Sequence, residues 1–224
     1  MTKAIGSDDA AFFRSDRAWL RLSGAEEQLF RLESLRVPGP HLASDLLAAA
    51  AAARLLGATA DAVARAAEMF PGLEHVLERV AEVAGVVFFN DSKATNVEAA
   101  RRSIEALDRP VVAIVGGRYK GGDFADLAPA VLRHGRAVLA IGEARDRVAA
   151  ALGSSVPVTL CTSLHEAVER AAAVAVPGDA VVLAPACSSF DMFGDYAERG
   201  QAFKEAVARL AEARSERRAR RGAS

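Results

Sequence analysis

Short apolar runs alternate with amphipathic stretches from Val86 onward. Continuous apolar runs bounded by Gly, Pro or polar residues are typical of parallel strands that are covered on both faces. The predicted strands are Val86–Phe89, Val111–Val115, Ala137–Ile141, Val156–Leu160 and Ala180–Ala184. The predicted helices are Val97–Leu107, Phe124–His134, Ala144–Leu152, Ser163–Val174 and Arg199–Arg214. This alternation predicts an α/β fold with a doubly wound, mostly parallel sheet and right-handed crossovers.

The residues before this alternation follow a different pattern. The elements predicted there are a hairpin of Ala11–Arg14 and Ala18–Leu22, a third strand within Gln28–Leu35, and helices over His41–Leu56 and Thr59–Met69. So small a sheet offers little to pack against, and the Ala-rich first helix requires burial on both sides. We therefore interpret this region as the end of a larger domain.

Three polar loops follow predicted strands at their carboxyl ends. Asn90–Asn96 follows the first strand and leads into a helix, Gly116–Phe124 contains four glycines, and Ala184–Phe193 contains two adjacent serines. Their charged and hydroxyl groups include Asp91, Lys93, Thr95, Arg118, Lys120, Ser188 and Ser189. Ligands of such sheets lie outside the carboxyl ends of the strands, and a helix N-terminus attracts anions. We expect a small anionic ligand here, such as an amino acid or a phosphate.

Net charge, cysteine count and the absence of known motifs exclude several classes of function. The net charge of −1 provides no overall field toward nucleic acid or membrane. Two cysteines make no disulfide framework, and the N-terminus has no apolar signal segment, so we expect a cytoplasmic protein. Four scattered histidines lack metal-ligand spacing, and we predict no metal site. The chain contains neither a Gly-Lys-Ser/Thr phosphate-binding loop nor a dinucleotide fingerprint.

The three loops together resemble the Mur ligase family, in its D-glutamate-adding branch. The matching segments are Asn90-Asp91-Ser92-Lys93-Ala94-Thr95-Asn96, Gly116-Gly117 with Lys120 and Asp123-Phe124, Pro185–Phe193, and Glu198-Arg199-Gly200 with Phe203. Such ligases have a UDP-binding domain, a central ATPase domain and a Rossmann-like C-terminal domain that binds the amino acid. The resemblance implies that residues 1–83 are the end of the ATPase domain and residues 84–214 the C-terminal domain. From its composition we expect 215–224 to be a disordered Arg-rich tail.

The resemblance also implies roles for individual residues, none of them catalytic. The side chains of Lys93, Thr95 and Lys120 are expected to hold the α-carboxylate side of D-glutamate. Ser189 and the backbone near Tyr196 are expected to hold its side-chain carboxylate. The nucleotide-side positions are Asp91, expected at the ATP ribose, and Asp45. In the family, ATP and Mg²⁺ serve to activate UDP-N-acetylmuramoyl-L-alanine as an acyl phosphate, which the amine of D-glutamate attacks.

Several departures affect the nucleotide side. Where the family has His-Asn and a second Asn, this chain has His41-Leu42 and Asp45, and where it has His-Arg, this chain has His75-Val76. We therefore expect no activity from the chain alone. The first hypothesis is the C-terminal portion of an ATP-dependent D-glutamate ligase of peptidoglycan synthesis. The second is a non-catalytic D-glutamate-binding module or degenerate partner of an intact ligase. The third is another Rossmann-type enzyme that binds a phosphate with Gly116–Gly122.

Overall fold

The computed structural model describes the backbone of residues 8–222 and the side chains of residues 8–216. Its strands are β1 (Ala10–Arg14), β2 (Arg17–Leu22), β3 (Ala25–Arg31), β4 (Glu78–Val83), β5 (Val86–Asn90), β6 (Val111–Gly116), β7 (Gly135–Ile141), β8 (Val158–Leu160) and β9 (Ala180–Leu183). Its α-helices are α1 (Pro40–Leu55), α2 (Ala60–Met69), α3 (Val97–Glu105), α4 (Ala128–His134), α5 (Arg145–Leu152), α6 (Leu164–Val174) and α7 (Tyr196–Gly222). Short 3-10 helices lie at Leu32–Ser34 and Phe124–Leu127.

The chain divides into two compact units, of which the first ends at Gly72. In this unit β1, β2 and β3 form an antiparallel sheet, so the predicted hairpin is present. Side chains of α1 and α2 pack on one face of that sheet, with Leu20, Phe30 and Leu47 among the buried residues. Thr59 caps α2, because its hydroxyl accepts a hydrogen bond from the backbone N–H of Ala62 at 3.2 Å.

The second unit is built on a six-stranded sheet. Its strand order is β4-β5-β9-β6-β7-β8, and all of the pairs are parallel except β4 with β5. Every residue of β5, β6 and β9 is buried, as expected for strands with helices on both faces. The predicted α/β fold with a mostly parallel sheet is confirmed.

Strand β4 was not predicted, and it moves the boundary between the units. It pairs with β5 through the two-residue turn Ala84-Gly85, whose φ angles of 53° and 77° are those of a type I′ hairpin. The sequence placed the boundary after residue 83, whereas the compact units divide after Gly72, because β4 hydrogen-bonds to the sheet of the second unit.

Helix α7 is longer than predicted at both ends. Asp195 caps it, because its carboxylate accepts a hydrogen bond from the N–H of Glu198 at 2.8 Å. The helix continues to Gly222, so residues 215–222 are helical and the prediction of a disordered tail is wrong for them. Residues 223–224 lie outside the described part. None of the helices in the described residues has both the length and the apolar character needed to cross a membrane.

Candidate functional site

The sheet order places the three polar loops side by side. They follow β5, β9 and β6, which are adjacent strands. The loop after β9 bonds to the loop after β5, since the N–H of Ala186 donates to the carbonyl of Ala94 at 2.9 Å. It also bonds to the loop after β6, where Arg118 and Ser188 form a short antiparallel bridge with N–H···O distances of 2.9 and 3.2 Å. The three loops therefore form one connected surface.

Two glycines permit this close approach. Gly116 and Gly117 have φ angles of 124° and 133°, a backbone region that favours glycine. A Cβ atom on Gly116 would lie 2.1 Å from the carbonyl oxygen of Ile141, and one on Gly117 would lie 2.4 Å from that of Ser188. Both positions therefore require glycine for packing between strand ends, whatever ligand the loop binds.

A buried arginine holds two of the loops to helix α7. Arg199 is 1% exposed, and it donates from Nε to the hydroxyl of Ser92 at 2.9 Å and from Nη2 to the carbonyl of Ser92 at 2.8 Å. Its Nη1 donates to the carbonyl of Cys187 at 3.2 Å. Burial lowers the pKa of Arg199 to about 10, so the side chain is still charged at neutral pH. Sequence reasoning used this residue only as part of a motif and missed its anchoring role.

Two of the predicted carboxylate ligands lie against each other. The ammonium of Lys120, from the loop after β6, donates to the hydroxyl of Thr95, from the loop after β5, at 3.2 Å. Lys93 is exposed, and within the described residues its ammonium makes no hydrogen bond or ion pair. Lys93 and Lys120 are thus two ammonium groups on two loops that meet at Thr95, and either group can make a charge-assisted hydrogen bond to a carboxylate.

A cleft of about 410 Å³ opens beside Lys120. Its lining residues are Asn96, Val97, Glu98, Lys120, Gly121, Gly122 and Asp126. Asn96 caps α3 there, because its side-chain oxygen accepts a hydrogen bond from the N–H of Ala99 at 2.8 Å. The negative charge of Glu98 is neutralised by Arg101 and Arg102, and their hydrogen bonds lower the pKa of Glu98 to about 2. The cleft therefore lies between the N-terminus of α3 and the side chain of Lys120.

The structure places Ser189 in a buried position and Tyr196 at the start of α7. Ser189 is only 2% exposed. Its hydroxyl has no hydrogen-bond partner among the described residues, whereas its carbonyl accepts from the N–H groups of Met192 and Phe193. Tyr196 is the first residue of α7, and its carbonyl accepts a hydrogen bond from the Ser92 hydroxyl at 2.7 Å. The hydroxyl of Ser189 thus retains its hydrogen-bonding capacity.

The two nucleotide-side residues predicted from the sequence are placed as follows. Asp91 is 6% exposed, and its carboxylate accepts a hydrogen bond from the hydroxyl of Ser103 on α3. Asp45 lies on α1, in the first unit. Within the described residues, no group of three or more His, Cys, Asp or Glu side chains is arranged to hold a metal ion.

Comparison with known proteins identifies the second unit. Residues 77–187 match the family model described as "Mur ligase, glutamate ligase domain". The UDP-N-acetylmuramoylalanine–D-glutamate ligase of Acidobacterium capsulatum is 45% identical over 183 residues, which are 82% of this chain and 40% of the relative. This chain belongs to the Mur ligase family. The ligase of the same name from Chlorobaculum parvum is 43% identical over 195 residues, 86% of this chain and 42% of the relative. The chain thus spans less than half the length of these Mur ligase relatives.

Solved structures show the same fold. Escherichia coli FolC in complex with DHPP and ADP has a TM-score of 0.64 at 18% identity, covering 92% of this chain and 47% of that chain. The UDP-N-acetylmuramate–alanine ligase MurC of Thermotoga maritima has a TM-score of 0.63 at 17% identity, covering 87% and 43%. At these identities the likeness concerns the fold alone, and it agrees with the predicted Rossmann-like sheet of a Mur ligase C-terminal domain.

Proposed function

We propose that this chain is the C-terminal portion of an ATP-dependent ligase that adds D-glutamate to UDP-N-acetylmuramoyl-L-alanine in peptidoglycan synthesis. The second unit is then the amino-acid-binding domain, and the first unit is the end of the central ATPase domain. The observation that carries the proposal is the 3.2 Å contact between the ammonium of Lys120 and the hydroxyl of Thr95, beside the cleft at the start of α3. The relatives named as D-glutamate ligases support the choice of amino acid.

The proposed site binds both carboxylates of D-glutamate. Lys93, Lys120 and Thr95 bind the α-carboxylate, because two ammonium groups and a hydroxyl make charge-assisted hydrogen bonds to it. Ser189 and the backbone N–H at Tyr196 bind the side-chain carboxylate. The Ser189 hydroxyl has no other partner in the described residues, and the N-terminus of α7 carries a partial positive charge.

These contacts determine how the chain contributes to the reaction. A dicarboxylate held at both ends keeps its amino group free of hydrogen bonds to the lysines. The fixed orientation then directs the amino group, once it has lost a proton to solvent, at an activated acyl carbon, and this is catalysis by proximity. As the nitrogen bonds to the acyl carbon, the phosphate leaves and takes up the second proton of the amine.

We further propose that these residues do not bind ATP or Mg²⁺ on their own. Asp91 is nearly buried and is bonded to Ser103, the described side chains include no metal-binding cluster, and the sequence has no Gly-Lys-Ser/Thr loop. We therefore derive no step through the nucleotide from these residues. The nucleotide and the UDP-linked substrate are proposed to bind segments of the intact ligase other than these 224 residues.

Isothermal titration calorimetry with D-glutamate, L-glutamate and ATP tests the binding part of the proposal. We expect D-glutamate to bind more tightly than L-glutamate, and ATP not to bind. Binding of ATP or of phosphate esters without binding of D-glutamate would contradict the proposal and favour a phosphate-binding Rossmann-type enzyme.

A complementation assay tests the catalytic part. The chain is mixed with a separately expressed amino-terminal half of a relative, and formation of the D-glutamate adduct is measured with ATP and Mg²⁺. We expect activity with the wild-type chain and a strong reduction with Lys120→Ala. Binding of D-glutamate without any restored activity would instead favour the non-catalytic binding module.

A further inference from the structure

The glycine-rich loop after β6 has few hydrogen bonds to hold its shape. Within the described residues, the backbone groups of residues 119–122 make no hydrogen bond to other backbone groups. Gly121 and Gly122 have φ angles of 110° and 92°, and nothing lies within 4 Å of a Cβ placed on Gly121. Because glycine has the largest conformational freedom of any residue, this stretch requires side-chain contacts to adopt one conformation.

Tyr119 supplies those contacts. Its hydroxyl donates to the carbonyl of Gly122 at 2.7 Å and so closes the loop on itself. Its ring lies 5.7 Å from the ring of Phe124 at an interplanar angle of 46°, and Phe124 is only 4% exposed. The tyrosine therefore connects the Gly121-Gly122 pair to a residue that is buried in the core.

Arg147 stacks on the same ring from helix α5. Its Cζ atom lies 4.7 Å from the centroid of the Tyr119 ring. Arg147 is exposed and makes no ion pair or hydrogen bond in the described part of the chain. Within that part, its guanidinium interacts with the Tyr119 ring alone. A planar guanidinium can also stack flat on an aromatic face, whereas a lysine ammonium is a compact, strongly hydrated charge that makes cation–π contacts less often.

We propose that Tyr119 and Arg147 are positioning residues, which hold the loop so that the Lys120 ammonium remains against the Thr95 hydroxyl. Lys120 lies between the tyrosine and the glycine whose carbonyl the tyrosine binds, so the closed loop fixes the origin of the lysine side chain. Neither residue is a predicted carboxylate ligand. The inference rests on the proposed function only for the identity of the ligand, D-glutamate.

Calorimetry with D-glutamate tests the binding consequence. We expect Tyr119→Phe, which keeps the ring and loses the hydroxyl, to weaken binding about fivefold. Arg147→Ala should weaken it about threefold, and Arg147→Lys should restore binding only in part. The matched control is Arg145→Ala, which removes the same charge from the same helix without a contact to the ring. An equal loss with Arg145→Ala would show a long-range charge effect and overturn the proposal.

A double-mutant cycle distinguishes positioning of Lys120 from a general structural role. If Tyr119 acts through Lys120, Tyr119→Phe should have almost no effect in a Lys120→Ala background. Additive losses would overturn the proposal.

An NMR measurement tests the positioning role without adding a ligand. The ¹⁵N heteronuclear NOE of the amides of Lys120, Gly121 and Gly122 should fall in Tyr119→Phe and in Arg147→Ala, because the loop loses its restraints. Failure of the wild-type chain to bind D-glutamate, with the NOE values falling, would contradict the proposed function alone. Unchanged NOE values would contradict the positioning role alone.

Discussion

Arg199 donates from Nε to the hydroxyl of Ser92 at 2.9 Å, across 107 residues of sequence. The same guanidinium binds the carbonyls of Ser92 and Cys187, and within the described residues it forms no ion pair with a carboxylate. One buried cation thus fixes the loops that carry Lys93 and Ser189. A buried charge is stable only when polar groups surround it, so the loops and the arginine depend on each other.

Replacing this arginine should destabilise the fold. We expect Arg199→Met to reduce the free energy of unfolding by about 3 kcal/mol, because three polar groups lose their partner in a buried site. Urea denaturation followed by circular dichroism measures this change. The control is Arg209→Met on the same helix, where the side chain is 68% exposed, and its effect should stay within about 0.5 kcal/mol. Equal effects of the two variants would contradict the anchoring role.

Lys120→Ala should weaken D-glutamate binding without unfolding the protein. The ammonium is exposed and hydrogen-bonds only to Thr95 in the described residues, so its loss costs the fold little. We expect a loss of about 1–3 kcal/mol in binding free energy, from a lost charge-assisted hydrogen bond. Calorimetry provides the measurement. Lys204→Ala is the control, since the ammonium of that lysine pairs with Glu74 and Glu78 and, in the described residues, with no residue of the three loops; an equal effect there would argue against a local site.

Ser189→Ala should have a similar effect for a different reason. Its hydroxyl is nearly buried and has no partner among the described residues, so alanine fits without leaving an unpaired group. We expect unchanged thermal stability and a loss of about 1–3 kcal/mol in D-glutamate binding. Ser188→Ala is the control, because that hydroxyl donates to the carbonyl of Arg118 instead. Unchanged binding in Ser189→Ala would remove this residue from the proposed site.

The hydrophobic pattern of the sequence was sufficient to predict the parallel strands, but it did not predict β4. The buried strands are short, mostly apolar runs bounded by polar residues, glycine or proline, and their length favours strands over helices. Strand β4 contains Glu78, Arg79 and Glu82, and its charged residues are stable at a sheet edge only because β5 lies beside it. Its signal was the Ala84-Gly85 pair between two valines, which forms a type I′ turn.

Which polar loops lie next to each other depends on the order of the strands in the sheet. The hydrophobic pattern of the sequence does not reveal that order. The polar loops could be listed from the sequence, because they follow apolar runs. Their hydrogen bonds arise because β9 inserts between β5 and β6, although it is the last strand in the chain. The burial of Ser189 and the anchoring by Arg199 follow from that order and from the packing of α7, so both were missed.

Cys187 should be unreactive in the folded protein. Burial raises the pKa of its thiol to about 12 from a usual value of 9.0, which reduces the thiolate fraction at pH 8 about a thousandfold. We expect alkylation by iodoacetamide to proceed only at the rate of unfolding. Mass spectrometry of the peptide that contains Cys187 measures the rate of alkylation. Labelling in urea is the control, and it shows that the thiol reacts once the protein is unfolded. Rapid native labelling would show that this loop opens and that a nucleophilic role has to be considered.

The last prediction concerns the acid stability contributed by Glu166 on α6. Its carboxylate accepts hydrogen bonds from the hydroxyl and the N–H of Thr162, both at 2.7 Å, and from Arg170 at 2.8 Å. The Thr162 hydroxyl is the largest cause that lowers the pKa of Glu166, to about 2 from 4.5. A carboxylate whose pKa is lower in the folded state stabilises the fold above the unfolded value, and this contribution disappears as pH falls through the folded value.

The wild-type chain should therefore be more stable than Glu166→Gln at neutral pH. The difference in the free energy of unfolding should shrink as the pH falls from about 4.5 to about 2, the interval between the two pKa values. Urea denaturation across this range measures the difference. The control is Glu169→Gln on the same helix, whose carboxylate lies 3.6 Å from His165, and which should cost less at neutral pH. A difference that stays constant with pH would show that the Thr162 hydrogen bonds do not favour the ionised carboxylate.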